Sequence, residues 1–222
     1  MSLSLRGWQI VSVLVVLAFS VARASAAEET RDYSVSVDDK EAGKYHMTIA
    51  EEKDGVVKMT GQAEIKVKVA GITAYKYSYG GSELWKDGRL VSFASRCNDD
   101  GKKLEVSAVS DGKELRIKAN DKDNTASAET WTTSYWRLPD AKLRKGELSI
   151  MDADTGRTMT AKLKFIGNEK RTVGGSEQTC AHYRVSGGAK ADLWYDASER
   201  LVHEEWLEDG HKTVLDMVRC AK

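Results

Sequence analysis

Four histidines, three cysteines and several adjacent acids are the residues of this 222-residue chain whose chemistry could go beyond packing. His203 and Glu205 are two apart in an alternating stretch, which puts both on one strand face, and His182 could lie nearby. A zinc site needs three or four convergent nitrogen, sulfur or oxygen ligands, and scattered histidines on polar strand faces, such as His46 and His211, are usually surface groups. No metal ligand is assigned. Cys97, Cys180 and Cys220 contain no C-x-x-C spacing, so neither a redox pair nor a zinc motif is supported. In an oxidising compartment two of them would pair. Cys180 and Cys220, both in the C-terminal half, are the expected disulfide. Ser110-Asp111-Gly112-Lys113 matches S-x-x-K formally, but its Asp-Gly step sets it on a hairpin turn where serine and lysine are solvated; G-x-S-x-G does not occur. The acid pairs Asp38-Asp39, Glu51-Glu52, Asp99-Asp100 and Glu204-Glu205 are adjacent, and neighbours on a strand point to opposite faces, so none makes a carboxylate dyad. An enzyme would need His182, His203 or nearby acids to converge in a pocket, which spacing does not show. No catalytic residue and no cofactor is assigned, and a non-enzymatic protein is expected.

The aromatic residues carry more. Tyr75, Tyr77 and Tyr79 alternate on one strand face, and Trp131, Tyr135 and Trp136 cluster in one irregular segment. Trp85 and Trp194 occupy matching places in two similar stretches. Aromatic side chains fill barrel interiors and tie hairpins together across strands, which is the structural reading of all of them. The functional reading makes Trp85, Trp131, Tyr135, Trp136 and Trp194 ligand contacts. They would line a cavity for an apolar or amphipathic molecule such as a lipid, their hydroxyl and indole N–H groups fixing its polar end.

These side chains must be positioned by strands. From Tyr33 onward the pattern repeats every two residues. Val57, Met59, Gly61, Ala63, Ile65, Val67 and Val69 share one face, with Lys58, Thr60, Gln62, Glu64, Lys66 and Lys68 on the other. Met159, Ala161, Leu163 and Phe165 repeat the alternation, as do Tyr45, Met47 and Ile49. Asp-Gly pairs at 54–55, 87–88, 100–101, 111–112 and 209–210 supply the positive φ that tight hairpins demand, and Gly187-Gly188 fits the same role. The only proline is Pro139. The expected fold is all-β: an antiparallel meander of roughly 12 strands. With no clear amphipathic helix to cover it, the sheet should curve into a barrel or half-barrel, a two-layer sandwich being the alternative. Leu84-Trp85-Lys86-Asp87-Gly88-Arg89-Leu90-Val91 resembles Leu193-Trp194-Tyr195-Asp196 followed by Arg200-Leu201-Val202, a weak internal repeat. Residues 120–140 lie between the two copies and read as an irregular crossover packing back on the sheet, a candidate lid.

Basic and acidic residues balance at 34 each, and no polybasic tract occurs, so neither nucleic acid nor an acidic membrane surface is indicated. The N-terminus differs in kind. Arg6 precedes an apolar run from Ile10 to Ala22, too short to span a bilayer comfortably, and Ala24 and Ala26 form an A-x-A step. Residues 1–26 read as a signal peptide cut after Ala26, with Ala24 the second choice. Residues 27–222 read as one β domain. The expected location is periplasmic or secreted.

Tyr33-Ser34-Val35 to Gly43-Lys44-Tyr45, the hairpin from Leu84 to Val91, Thr133-Ser134-Tyr135-Trp136 and Asp192-Leu193-Trp194-Tyr195-Asp196 resemble a family of exported bacterial proteins of unknown function. That resemblance covers nearly the whole chain after the leader. It implies a Gram-negative envelope location and a curved sheet or barrel, and it supplies no catalytic residues. Here Trp136 is followed by Arg137-Leu138-Pro139, where a shorter Asn-Pro step would fit the family pattern. Two functions follow. One is a binding module for a hydrophobic or amphipathic ligand; the other is a structural or assembly scaffold whose partner is another envelope protein. Interior volume separates them, a cavity of several hundred cubic ångströms favouring binding.

Overall fold

A computed structural model describes residues 28–222; the expected signal peptide and its cut after Ala26 lie outside the described residues. The strands are β1 (Glu28–Val37), β2 (Lys40–Glu51), β3 (Val56–Val69), β4 (Ile72–Lys86), β5 (Arg89–Asp99), β6 (Lys102–Ser110), β7 (Glu114–Ala119), β8 (Lys122–Ser127), β9 (Trp131–Thr132), β10 (Glu147–Met151), β11 (Thr158–Val173), β12 (Ser176–Gly187), β13 (Ala191–Tyr195), β14 (Leu201–Glu208) and β15 (His211–Ala221). All 15 belong to one sheet in the order β8-β7-β6-β5-β4-β3-β2-β1-β15-β14-β13-β12-β11-β10-β9. The first and last described strands therefore meet in the middle of the sheet, where β1 pairs with β15, and each half runs outward as a meander. Every pairing is antiparallel except the short β9–β10 contact.

The alternation decides which face is dry. On β1 Tyr33 and Val35 point inward, beside Met47 of β2, Met59 of β3 and Leu215 and Met217 of β15, all buried. The hairpins between them turn at Asp54-Gly55, Asp87-Gly88, Asp100-Gly101 and Asp209-Gly210, each with positive φ at both residues. A sheet of this length with one apolar face must hide it, and here the sheet curls on itself. At the seam the Asn124 side chain of β8 reaches Thr158 of β11 at 3.3 Å, and Gly156 sits against Val106, Ile117 and Ala119. One curled sheet encloses the core, so the barrel-like alternative is realised and not the sandwich.

Residues 128–138 enter the barrel and close one end. Trp131, Tyr135, Trp136 and Leu138 are buried there. Backbone carbonyls of this segment accept hydrogen bonds from the surrounding wall: Arg31 donates to the Trp136 carbonyl at 2.8 Å and Tyr195 to the Tyr135 carbonyl at 2.8 Å. An irregular segment can be buried only if its backbone groups find such partners. Glu83, fully enclosed, anchors the same plug. One of its carboxylate oxygens accepts from the Trp85 indole at 2.6 Å, the Trp136 indole at 2.9 Å and the Thr132 hydroxyl at 3.3 Å.

Several expectations are corrected here. The strand number is 15 rather than about 12. The polar start of the 120–140 segment is the edge strand β8, and its two-sided polarity follows from its lying at the sheet's end with little packed on either face. Gly187-Gly188 lies in the reversal between β12 and β13, with positive φ at Gly187, and the Gly188 N–H donates to the Thr160 carbonyl at 2.9 Å, the small residues allowing that close approach to β11. Phe165 keeps the phase of Leu163 but is half exposed, packing edge-on against Tyr183 opposite it on β12. No bond joins Cys180 to Cys220. All three cysteines are free, with Cys180 buried and Cys220 exposed beside Arg200 at 3.4 Å.

Candidate functional site

The interior is filled at the plugged end and open at the other. Along β4 the inward positions run Tyr75, Tyr77, Tyr79, Gly81, Glu83 and Trp85, from rim to floor. The floor is packed. Above it lies a cleft of about 380 Å³ between the β1–β4 wall, the β14–β15 wall and the loops that follow β10 and β12. Tyr45, Tyr75, Tyr77, Tyr79, Tyr135 and Trp206 give it an aromatic lining.

Two glycines make room for the tyrosines. A Cβ at Gly81 would overlap the Tyr79 phenol, and one at Gly61 would overlap the Tyr45 phenol. Each ring therefore lies across a position without a side chain, the arrangement by which aromatics cover strand glycines. The Tyr79 hydroxyl is buried with no hydrogen-bond partner. The neighbouring hydroxyls are engaged: Tyr75 donates to Asp99 at 2.8 Å, and Tyr77 donates to Asp154 at 2.8–2.9 Å.

The carboxyl groups give the cleft its electrostatic character. Glu204, on β14, is 8% exposed and lines the cleft. Burial alone pushes its carboxyl up to about 8, with no hydrogen bond or cation to hold it down. Asp154 is pushed up to about 7, again mainly by burial, the Tyr77 hydroxyl opposing and the Asp152 charge adding to the rise. A carboxylic acid near neutral pKa inside an aromatic cleft can exchange a proton at physiological pH or donate a hydrogen bond.

Of the expected ligand contacts, only Tyr135 lines this cleft. Trp85, Trp131 and Trp136 hold the floor: the Trp85 and Trp136 rings meet edge to face, Trp131 packs edge-on against Tyr135, and the Trp131 indole donates to the Arg137 carbonyl at 2.9 Å. Trp194 is on the opposite, outer face. It stacks on His182 with centroids 4.1 Å apart, meets His203 edge-on at 4.8 Å, and lies under the Arg171 guanidinium at 4.3 Å. The internal repeat is offset by one residue there: Trp85 pairs with Leu90, but Tyr195, not Trp194, pairs with Leu201. Tyr195 is the residue that points inward.

His182 and His203 do come close, as the spacing allowed, but the Trp194 ring stands between them. Each imidazole is bracketed by two carboxylates, His182 by Glu169 and Asp192 at 2.8 and 2.7 Å, His203 by Asp216 and Glu205. Among the described residues no group of three or more His, Cys, Asp or Glu is placed to hold a metal ion. The cluster ties the long β11–β12 hairpin over the outer face. At the hairpin tip the Gly174 N–H donates to the Met217 carbonyl at 3.3 Å.

Sequence reasoning missed Glu204, Asp154, Tyr45 and Trp206 as cleft residues. Glu204 had a signal: Val202, Glu204 and Trp206 alternate, which puts an acid in an apolar phase. His203, Glu205 and Leu207 alternate equally well, so the phase was ambiguous without the β15 register.

A family model described as a domain of unknown function, DUF6134, matches residues 33–217. The chain belongs to the DUF6134 family. The matched span runs from the inward Tyr33 of β1 to Met217 of β15, so the family domain takes in both walls of the cleft. No curated protein matches the sequence. Among solved structures the chain is similar to a beta-barrel-like protein of domain of unknown function DUF1849 from Brucella abortus. That likeness has a TM-score of 0.61 and 9% identity, and covers 88% of this chain and 97% of the other. At that identity it speaks for the fold alone, a barrel-like sheet shared by this DUF6134 member.

Proposed function

We propose that this chain is an exported, non-catalytic binding protein that shelters an amphipathic ligand in the open end of its barrel. The observation that carries the reading is the cleft of about 380 Å³, lined by tyrosines, among them Tyr79, whose buried hydroxyl has no hydrogen-bond partner. That volume falls in the range of small-molecule sites, and the combination of aromatic walls with a few polar groups suits a ligand with an apolar body and one polar end. Export is supported by Arg6, the Ile10–Ala22 apolar run and the Ala24–Ala26 step. The reading is tested by native mass spectrometry of the protein taken gently from a cell-envelope fraction. An adduct that organic solvent removes, on a chain starting at Ala27, is the expected result. A bare polypeptide that also fails to take up a lipophilic fluorescent probe would overturn it.

A scaffold role for the envelope has one observation in its favour. Edge strand β8 pairs only with β7, and its far edge meets β11 through the Asn124 side chain and not through a backbone ladder, so a strand from another chain could pair there by opening the seam. Crosslinking through a cysteine placed at Thr125 should then capture a single partner. A ladder of unrelated products would count against it.

A further inference from the structure

We propose that the polar end of the cleft's ligand is an organic cation, an alkylated ammonium group seated beside Glu204 against the faces of Tyr45, Tyr79 and Tyr135. This deepens the amphiphile reading above and rests on it.

The first observation is the sign of the lining. Its carboxyl groups are Asp99, Asp152, Asp154, Glu204 and Glu208. Its bases are Arg157 and Lys190, both on the loops after β10 and β12, and an Arg157 guanidinium nitrogen lies 3.1 Å from the Met159 sulfur. The second observation is independent of that count. Glu204, more than nine-tenths buried, lines the cleft with burial as the only influence on its carboxyl, and the Tyr79 hydroxyl in the same lining has no hydrogen-bond partner. Glu204 shares the cleft lining with Tyr45 on β2, Tyr79 on β4 and Tyr135 in the plug, so aromatic rings from three elements border the same space. A buried acid without a partner is destabilising, and such groups are concentrated at functional sites.

The chemistry then selects the ligand. An anionic head would meet carboxylates. A bare divalent ion needs several converging oxygens, and no such group of three is present among the described residues. A diffuse ammonium needs neither; it is attracted by aromatic faces and by one desolvated carboxylate. Its arrival favours ionised Glu204, so the Glu204 proton passes to the solvent as the ligand binds.

Calorimetric titration of the purified protein with three probes of equal chain length tests this: dodecyltrimethylammonium, dodecyl maltoside and dodecanoate, each below its micelle concentration. The ammonium should bind at least about tenfold more tightly than either other probe. At neutral pH its heat should change with the buffer's ionisation enthalpy, reporting proton release. Glu204→Gln should narrow the preference by about tenfold and suppress the proton release. Asp154→Asn serves as a second variant should the first be poorly folded, and should narrow it in the same sense. Equal affinity for all three probes, or tightest binding of dodecanoate, overturns the cation while leaving the amphiphile reading intact. Binding of none overturns both.

Discussion

At the scale of single residues the decisive group is Glu204. Its carboxyl is raised by burial from the ordinary 4.5 to about 8, so between those values the folded state holds a proton that the unfolded chain has released. Stability is therefore fully present below the unfolded value and falls as pH rises through the window, by on the order of a few kcal/mol. Urea unfolding followed across this range should show the decline, and Glu204→Gln should flatten it and be the more stable form at the alkaline end. A slope unaltered in the variant would assign the effect elsewhere. Tyr79 and Gly81 form the second residue-scale device. Gly81→Ala puts a methyl group where the Tyr79 phenol lies, and overpacking of this kind destabilises by about 1–3 kcal/mol. The variant should unfold at lower urea and take up a lipophilic probe less tightly, because the displaced ring enters the cleft.

At the scale of elements the β11–β12 hairpin and the plug do different work. The hairpin extends beyond the core and is held down by the outer Trp194 stack with His182, His203 and Arg171. Trp194→Ala should cost about 3–5 kcal/mol, as for other buried tryptophans. Amide exchange should quicken in residues 169–180, while probe affinity at the cleft stays unaltered. Loss of probe binding in that variant would mean the hairpin and the cleft are coupled. The plug acts inside. Glu83 gathers the Trp85 and Trp136 indoles and the Thr132 hydroxyl on one oxygen, so Trp136→Phe removes a hydrogen-bond donor to a fully buried carboxyl group. That should destabilise by about 1.5–3 kcal/mol and should be visible as a lowered urea midpoint.

At the scale of the whole molecule the curl of one sheet produces both a closed and an open end. Inward residues near the plug are large and packed; toward the rim the same strands carry tyrosines, acids and glycines, and the space between them is the cleft. The seam is closed by side chains and loops rather than by a backbone ladder, since β8 and β9 are the two edges of the sheet. A ligand that bridges the β1–β4 and β14–β15 walls should raise the unfolding temperature of the whole barrel with its concentration, as binding to the folded state alone requires. Thermal unfolding with increasing dodecyltrimethylammonium checks this below its micelle concentration.

Strand identity, hairpin positions and the wet and dry faces were legible in the sequence because they follow from local rules. Alternation at Met59, Gly61 and Ala63 and positive φ at the Asp-Gly turns need no distant partner. The tyrosine row of β4 was legible for the same reason. What only the tertiary structure decided was which aromatic residues border open space. Trp85, Trp131 and Trp136 became floor, and Trp194 faced outward, because a one-residue offset in the β13–β14 turn exchanges the two faces of a strand. Glu204 became a cleft residue because its hairpin partner Leu215 on β15 is set opposite Val35 of β1, a pairing between the first and last described strands. No local pattern encodes a register set across that distance; it arises when the sheet curls and the core chooses which side to bury.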